Sequence, residues 1–233
     1  MRYTCDIGPE ALACSEQLFP IQKVIIDWDE LIRMRPAVVR SSQTMPYYLL
    51  MPEVLALLRA DKHPMYRLLI DIMWSTGARV SEVLALTPER ILGGNDRFDV
   101  LLKAKRTGAG RPGKLTALRS RQRCVPLIDE WTQDRLQTYL CGGHFRATQR
   151  LFAIAPQTLN RHIHRLADAI DFPAHWITAT TFRHSFAINL LVHGCPLSAV
   201  ARLLGHKHLA STAIYEQALT VSDHEMIKRV EFH

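Results

Sequence analysis

The stretch TTFRHSFAINLLVHGCPLSAVARLLGHKHLASTAIYEQAL, residues 180–219, decides the architecture. It reads as a succession of helices, FRHSFAINLLVHG, PLSAVARLLG and LASTAIYEQAL, joined by short connections. Outward from it the same grammar continues. PEVLALLRA opens with Pro52 in a first-turn position, and PMYRLLIDIMWSTG runs apolar at helical spacing and stops at Gly77. SEVLALT opens with Ser81 as a capping candidate. DEWTQDRLQTYL carries acids in its first turn and ends at CGG, and PQTLNRHIHRLADAI is a further helix. Residues 100–128 break the pattern. RFDVLLKAK and RQRCVPL are strand-like runs, and the TGAGRPGK between them is rich in turn residues, which reads as a hairpin. The fold class is therefore mainly α (α+β), helices with a small antiparallel sheet.

The same stretch carries chemistry. Arg183, His206 and Tyr215 lie within it, and Arg79 lies upstream in STGARVSEVLAL. A tyrosine hydroxyl can attack a phosphodiester and keep the bond energy as a phosphotyrosyl ester, so that the strand is resealed without ATP or metal. Two forked, permanently charged guanidiniums suit the non-bridging phosphate oxygens. Imidazole adds a donor or moves a proton. The leaving 5′-oxygen still needs an acid, and a lysine serves where neighbouring positive charge lowers its pKa. The hairpin offers one: residues 100–128 hold eight Lys or Arg (103, 105, 106, 111, 114, 119, 121, 123) and no Asp or Glu. Lys105 is the choice for the acid, with Lys103 and Lys114 behind it. Taken singly, Arg79 beside Glu82 also reads as a helix ion pair, and Tyr215 as a core ring with its hydroxyl at the surface.

Four segments in order, TGARVSEVLAL, RCVPL, TTFRHSFA and LLGH followed at an interval by Tyr215, resemble the catalytic domain of the tyrosine recombinase family, the phage integrase type. The resemblance covers roughly residues 51–215. It implies that Arg79 and Arg183 clamp the scissile phosphate, Lys105 protonates the leaving oxygen, His206 bonds a phosphate oxygen and Tyr215 is the nucleophile. Glu82 would orient Arg79. The family's histidine three residues before the second arginine is here Thr180, which can donate a hydrogen bond but is no base near neutral pH. His175 and His184 are near in sequence, but neither holds the motif position. The family's fold and reaction imply a site-specific DNA recombinase forming a 3′-phosphotyrosyl intermediate, with integration, excision, inversion or resolution as the outcome. They also imply double-stranded DNA with inverted-repeat sites, a homo-tetramer on it, possible accessory DNA-bending proteins, and a cytoplasmic place on a bacterial nucleoid, plasmid or mobile element.

Charge agrees with a nucleic-acid partner: 29 basic against 22 acidic residues give a net +7 over 233 residues. Lys103, Arg106, Arg111 and Lys114 of the hairpin are candidate DNA contacts, as are Arg161 and Arg165 of RHIHR, whose rival reading is a solvated face. His162 and His164, two apart, fall on different helix faces and suit a metal poorly. Five cysteines without CxxC or CxxH spacing speak against disulfides or zinc, and no cofactor or metal is expected. Neither a signal peptide nor a membrane span is legible. Residues 1–45 read as a short N-terminal segment ending in a linker, MRPAVVRSSQTMP, too small for a full additional domain. Residues 46–233 read as the catalytic domain, whose end, 220–233, forms an amphipathic helix that docks on a neighbouring protomer or on its own domain. Two other functions fit the same residues: a non-catalytic DNA-binding descendant, and a type IB topoisomerase-like nicking and closing enzyme.

Overall fold

The computed structural model of the protein describes residues 26–42, 44–94, 97–103, 122–172 and 176–219. Along the chain come α1 (Trp28–Ser41), α2 (Met51–Ala60), α3 (Pro64–Thr76), α4 (Val80–Val83), a 3-10 turn (Pro88–Arg90), β1 (Ile91–Gly94), β2 (Arg97–Lys103), β3 (Gln122–Leu127), α5 (Glu130–Gly143), α6 (Pro156–Asp168), α7 (Ala179–Val192), α8 (Leu197–Leu204), α9 (Ala210–Ala213) and a closing 3-10 turn (Ile214–Ala218). The mainly helical class and the small sheet are as the sequence indicates. The expected tail helix, residues 220–233, and the hairpin tip lie outside the described residues.

α7 organises the rest. It is apolar on nearly every side, which demands burial all round. Ala179 and Phe182 enter one core with α2, α3, the sheet, α5 and α6. Phe186, Ala187, Ile188 and Leu191 enter a second core with Val200 and Leu204 of α8, Tyr215, and Trp28, Leu31 and Ile32 of α1. Asn160 of α6 accepts a hydrogen bond from the Ala179 N–H at 2.9 Å and so ties the start of α7 to its neighbour.

The sheet is antiparallel in the order β1-β2-β3, with Val100 opposite Val125 and Leu102 opposite Arg123. Period-two alternation in β3 sets Arg123, Val125 and Leu127 on one face. Val125 and Leu127 are buried there against the helices. An arginine thus occupies an inward position of the sheet.

Two readings of the sequence are corrected. The segment expected as a linker is mostly α1, which runs through Pro36 to Ser41. An interior proline costs a helix about 3 kcal/mol; tertiary contacts offset it. Asp27 caps the first turn through the Glu30 N–H at 3.0 Å, Val38 is buried, and Arg35 grips Glu53 with both terminal nitrogens, Nη2 at 2.7 Å from Oε1. At α4 the cap position belongs to Arg79, not Ser81. Glu82 Oε2 accepts from the Arg79 backbone N–H at 2.8 Å, so the first turn is closed by the glutamate at its third position and not by a serine hydroxyl.

Candidate active site

Glu82 is the anchor of the site. It is 1% exposed, and its carboxylate takes four donors from two arginines, one of them the Arg79 backbone N–H. Arg123 donates from Nη1 to Oε1 at 2.7 Å and from Nη2 to Oε2 at 2.8 Å, a parallel fork of the kind guanidinium and carboxylate favour. Arg79 Nη1 reaches Oε1 at 3.2 Å. Arg123 Nε also donates to the Leu203 carbonyl at 2.7 Å, so the sheet, α4 and the end of α8 are bound together by one side chain. The Arg79 side chain stays 44% exposed and is free to meet a ligand.

Arg183 approaches from α7 and is buried. Its Nη1 donates to the Gly77 carbonyl at 2.6 Å and its Nη2 to the Leu204 carbonyl at 2.7 Å. Both carbonyls belong to helix ends, which have unsatisfied acceptors to offer. Gly77 ends α3 at φ +60°, and a Cβ there would meet Phe186 Cδ1 at 2.3 Å, so only glycine fits the turn that presents this carbonyl. Gly205 ends α8 in the same left-handed way, at φ +66°, and delivers His206. Thr212 holds His206 Nδ1 at 2.8 Å, which leaves Nε2 for a ligand.

Tyr215 lies in the closing 3-10 turn, 2% exposed within the second core. Its hydroxyl is 2.8 Å from Nδ1 of His184, the residue after Arg183 on α7. The two rings are tilted, with centroids 5.7 Å apart.

The electrostatics are those of a site that favours an anion. Burial, then the positive charges of Arg79 and Arg123, bring Arg183 down to about 10. Burial, then Arg183, Arg79, Arg123 and His184, bring His206 down to about 4. Burial and Arg183 do the same to His184, also to about 4, so both rings are neutral at pH 7. Burial raises the Tyr215 phenol while Arg183 and Arg79 pull it back. Burial also works against the Glu82 charge, but the hydrogen bonds and charge of Arg123, and then Arg79, prevail and hold the carboxyl below its ordinary value. Among the described residues no three His, Cys, Asp or Glu side chains gather to hold a metal ion, and no helix is long and apolar enough to cross a membrane.

Arg79 and Glu82 at the start of α4 thus come together with Arg183 of α7, His206 after α8 and Tyr215 of the closing turn. Thr180 sits exposed on the first turn of α7. Lys103 ends β2, half-buried, beside Arg90 and Arg150 in a depression of about 370 Å³ that Ser81 and Leu84 also line. Lys105, Arg106, Arg111 and Lys114 lie outside the described residues. Arg161 and Arg165 are exposed on α6. His162 does not share their face: it bonds Asp61 at 2.8 Å and stacks on Tyr66 at 4.0 Å between centroids. Sequence reasoning assigned no role in the site to Arg123 or His184. Arg123 carried a signal, an arginine in phase with Val125 and Leu127.

Residues 48–220 match the model of the phage integrase family. The chain belongs to this family, the tyrosine recombinases. Members of it transfer DNA strands at specific sites, and this chain is one of these enzymes. A resolvase of Escherichia coli is 31% identical to this tyrosine recombinase over 90% of the chain and 87% of the relative. The tyrosine recombinase XerD of Rhizobium meliloti (strain 1021) is 28% identical over 69% of the chain, which spans about half of that relative's length, 49%. Among solved structures, the XerH recombinase in a post-cleavage complex with palindromic difH DNA superposes with a TM-score of 0.61 at 23% identity, over 75% of this chain and 52% of that one. The catalytic domain of bacteriophage HP1 integrase superposes with a TM-score of 0.54 at 21% identity, over 79% of this chain and 95% of that one. At such identities these two likenesses speak for the fold.

Proposed function

We propose that Tyr215 attacks the scissile phosphodiester of double-stranded DNA and becomes linked to the 3′ end of the cut strand, while a 5′-hydroxyl end is released for exchange. Arg79 and Arg183 stabilise the charge that grows on the non-bridging oxygens. His206 donates to one of them from Nε2. Glu82 and Arg123 hold Arg79 in position. Lys105, two residues beyond β2, protonates the leaving 5′-oxygen. The observation that carries this reading is geometric: Arg183 is buried with its guanidinium fixed on the carbonyls of Gly77 and Leu204, Tyr215 hydrogen-bonds the residue next to it on α7, and the Glu82 carboxylate is already engaged by Arg123 and Arg79. Such a site suits a phosphodiester.

One tyrosine cuts one strand and exchange involves four, so four protomers act together on paired inverted-repeat sites, with DNA-bending proteins as helpers. Lys103, Arg106, Arg111 and Lys114 of the hairpin and Arg161 and Arg165 of α6 contact the backbone. The working place is cytoplasmic DNA, nucleoid or plasmid. Among the possible outcomes, resolution of repeated sites is favoured by the resolvase similarity, which extends over most of both chains.

The test is covalent trapping. Wild type and Tyr215→Phe are incubated with nicked duplexes carrying inverted repeats from beside the gene, then run on a denaturing gel. An adduct with wild type alone supports the nucleophile. Tight binding without any adduct would leave a DNA-binding protein that has lost its chemistry. Relaxation of any supercoiled plasmid without site preference would move the reading to a topoisomerase-like enzyme. A plasmid with two sites in direct or inverted orientation then separates resolution from inversion.

A further inference from the structure

Thr180, three residues before Arg183, is exposed on the first turn of α7 and chemically unable to take a proton at neutral pH. A tyrosine that attacks phosphorus must lose its proton, and burial makes that loss harder for Tyr215. The structure supplies a substitute from a different position. His184 Nδ1 lies 2.8 Å from the Tyr215 hydroxyl, within direct transfer distance of a general base.

We infer that His184 is a catalytic residue, the proton acceptor for Tyr215, and that it does the work Thr180 cannot do. The inference rests on Tyr215 being the nucleophile. In the forward step the phenolic proton passes to His184 Nδ1 as the Oη–P bond forms. The P–O5′ bond breaks, and the 5′-oxygen takes its proton from the general acid assigned to Lys105. On rejoining, the lysine amine takes the proton of the incoming 5′-hydroxyl, and the imidazolium returns its own to the phenolate as Oη–P breaks. Protons and electron pairs balance in both directions, and no metal or cofactor enters.

Three features of the surroundings suit this role. A neutral imidazole in its Nε2–H form has Nδ1 open as an acceptor, and the phenol is the natural donor to it. Burial and the adjoining Arg183 keep the ring neutral in the free protein. The charged and titratable groups around the pair are Arg183 beside it, Arg79, whose charge acts on Tyr215, and His206, whose ring feels that of His184. Positive charge thus surrounds His184, and an imidazolium formed there would be costly. Binding the phosphodiester, and building further negative charge on it during attack, offsets that cost. Proton transfer is therefore coupled to DNA: the base is competent only when the phosphate is in place.

The test measures adduct formation in single turnover with wild type, Tyr215→Phe, His184→Ala, His184→Gln and Lys105→Ala on the nicked duplex described above. His184→Ala should form adduct about 100-fold more slowly or worse, with unchanged DNA affinity, and added imidazole should restore part of the rate. His184→Gln fills the space and still hydrogen-bonds the phenol but is no base, and should be as slow as His184→Ala. A duplex with a 5′-bridging sulfur, whose leaving group needs no proton, should rescue Lys105→Ala and leave both His184 variants slow. Wild-type rates in His184→Gln, or rescue of the His184 variants by the sulfur substrate, would overturn the inference and leave His184 a packing partner. If wild type itself makes no adduct, it is the reading of Tyr215 that fails, and the Tyr215→Phe lane keeps the two failures apart.

Discussion

Arg123 and Glu82, 41 residues apart in sequence, meet through two parallel hydrogen bonds of 2.7 and 2.8 Å between the sheet and the helix that carries Arg79. The Arg123 side chain is 11% exposed and that of Glu82 0%. The pair is thus a buried, bidentate ion pair, and its worth lies less in net stability than in what happens when one partner is lost. It fixes the direction from which Arg79 faces a ligand.

Arg123→Ala should destabilise the protein by about 3–5 kcal/mol, because it leaves the Glu82 carboxylate buried with only the Arg79 backbone N–H at 2.8 Å and Arg79 Nη1 at 3.2 Å. Urea unfolding at neutral pH measures this. Arg123→Met keeps the volume but not the charge, and the double variant Arg123→Met, Glu82→Gln should recover much of the loss while adduct formation stays impaired, since Arg79 has lost its anchor. Equal stability of Arg123→Ala and wild type would refute the account.

Gly77→Ala should cost both stability and activity. The left-handed conformation alone penalises a side chain by about 1–2 kcal/mol, and the new Cβ would lie 2.3 Å from Phe186 Cδ1 and 3.0 Å from Leu204 Cδ2, an overpacking of about 1–3 kcal/mol more. The carbonyl that accepts from Arg183 moves with the turn. Thermal melting and adduct formation should fall together, and a variant as stable and as active as wild type would mean that the turn relaxes freely.

How much of this was legible beforehand depends on the reach of each contact. Arg79 and Glu82 are one helical turn apart, and their pairing follows from spacing alone. The order of motifs gave the family and with it the fold. Arg183 was identified, but its burial on the carbonyls of Gly77 and Leu204 was not, because helix-end acceptors supplied by two other elements leave no pattern in the residues around it. The later half of helix α1 was read as a linker because Pro36 argues locally against a helix while Val38, Arg35 and the second core argue for it from a distance. His162 lies next to Arg161 in sequence, yet α6 turns it toward Asp61 and Tyr66. His184 and Tyr215 touch across 31 residues, a contact set by how the last 3-10 turn lies against α7.

Arg161 and Arg165 are exposed one turn apart on α6, a spacing that lets both reach one strand of a duplex. Replacing both with alanine should lower the slope of log affinity against log salt by about 2, close to one per lost phosphate contact. Adduct formation at saturating DNA should be unchanged. An unchanged slope would make this a merely solvated face.

The two neutral histidines predict how stability responds to acid. His184 and His206 have folded values of about 4, below the ordinary 6.5, so between these values the unfolded chain binds protons that the folded chain refuses. Stability therefore falls as pH drops from about 6.5 and stops falling on this account below about 4, with a slope of at most about 1.4 kcal/mol per pH unit for each ring. Glu82 acts in the same sense at lower pH: its lowered carboxyl stabilises the fold above the ordinary glutamate value, and that stability is lost as pH falls through the folded value. Asp71, raised by burial against the pull of Arg67 and Arg135, acts in the opposite sense, so the wild-type curve alone mixes these effects. The difference between wild type and His184→Gln, or His206→Gln, isolates one ring. Each variant should flatten the urea midpoint between pH 6.5 and 4.5, and a short duplex containing the site should flatten it for wild type as well, because the bound phosphate makes protonation of both rings less costly. Parallel curves for wild type and both variants would show that neither ring is held neutral by the arginines, and would remove the electrostatic basis for a DNA-dependent proton acceptor beside Tyr215.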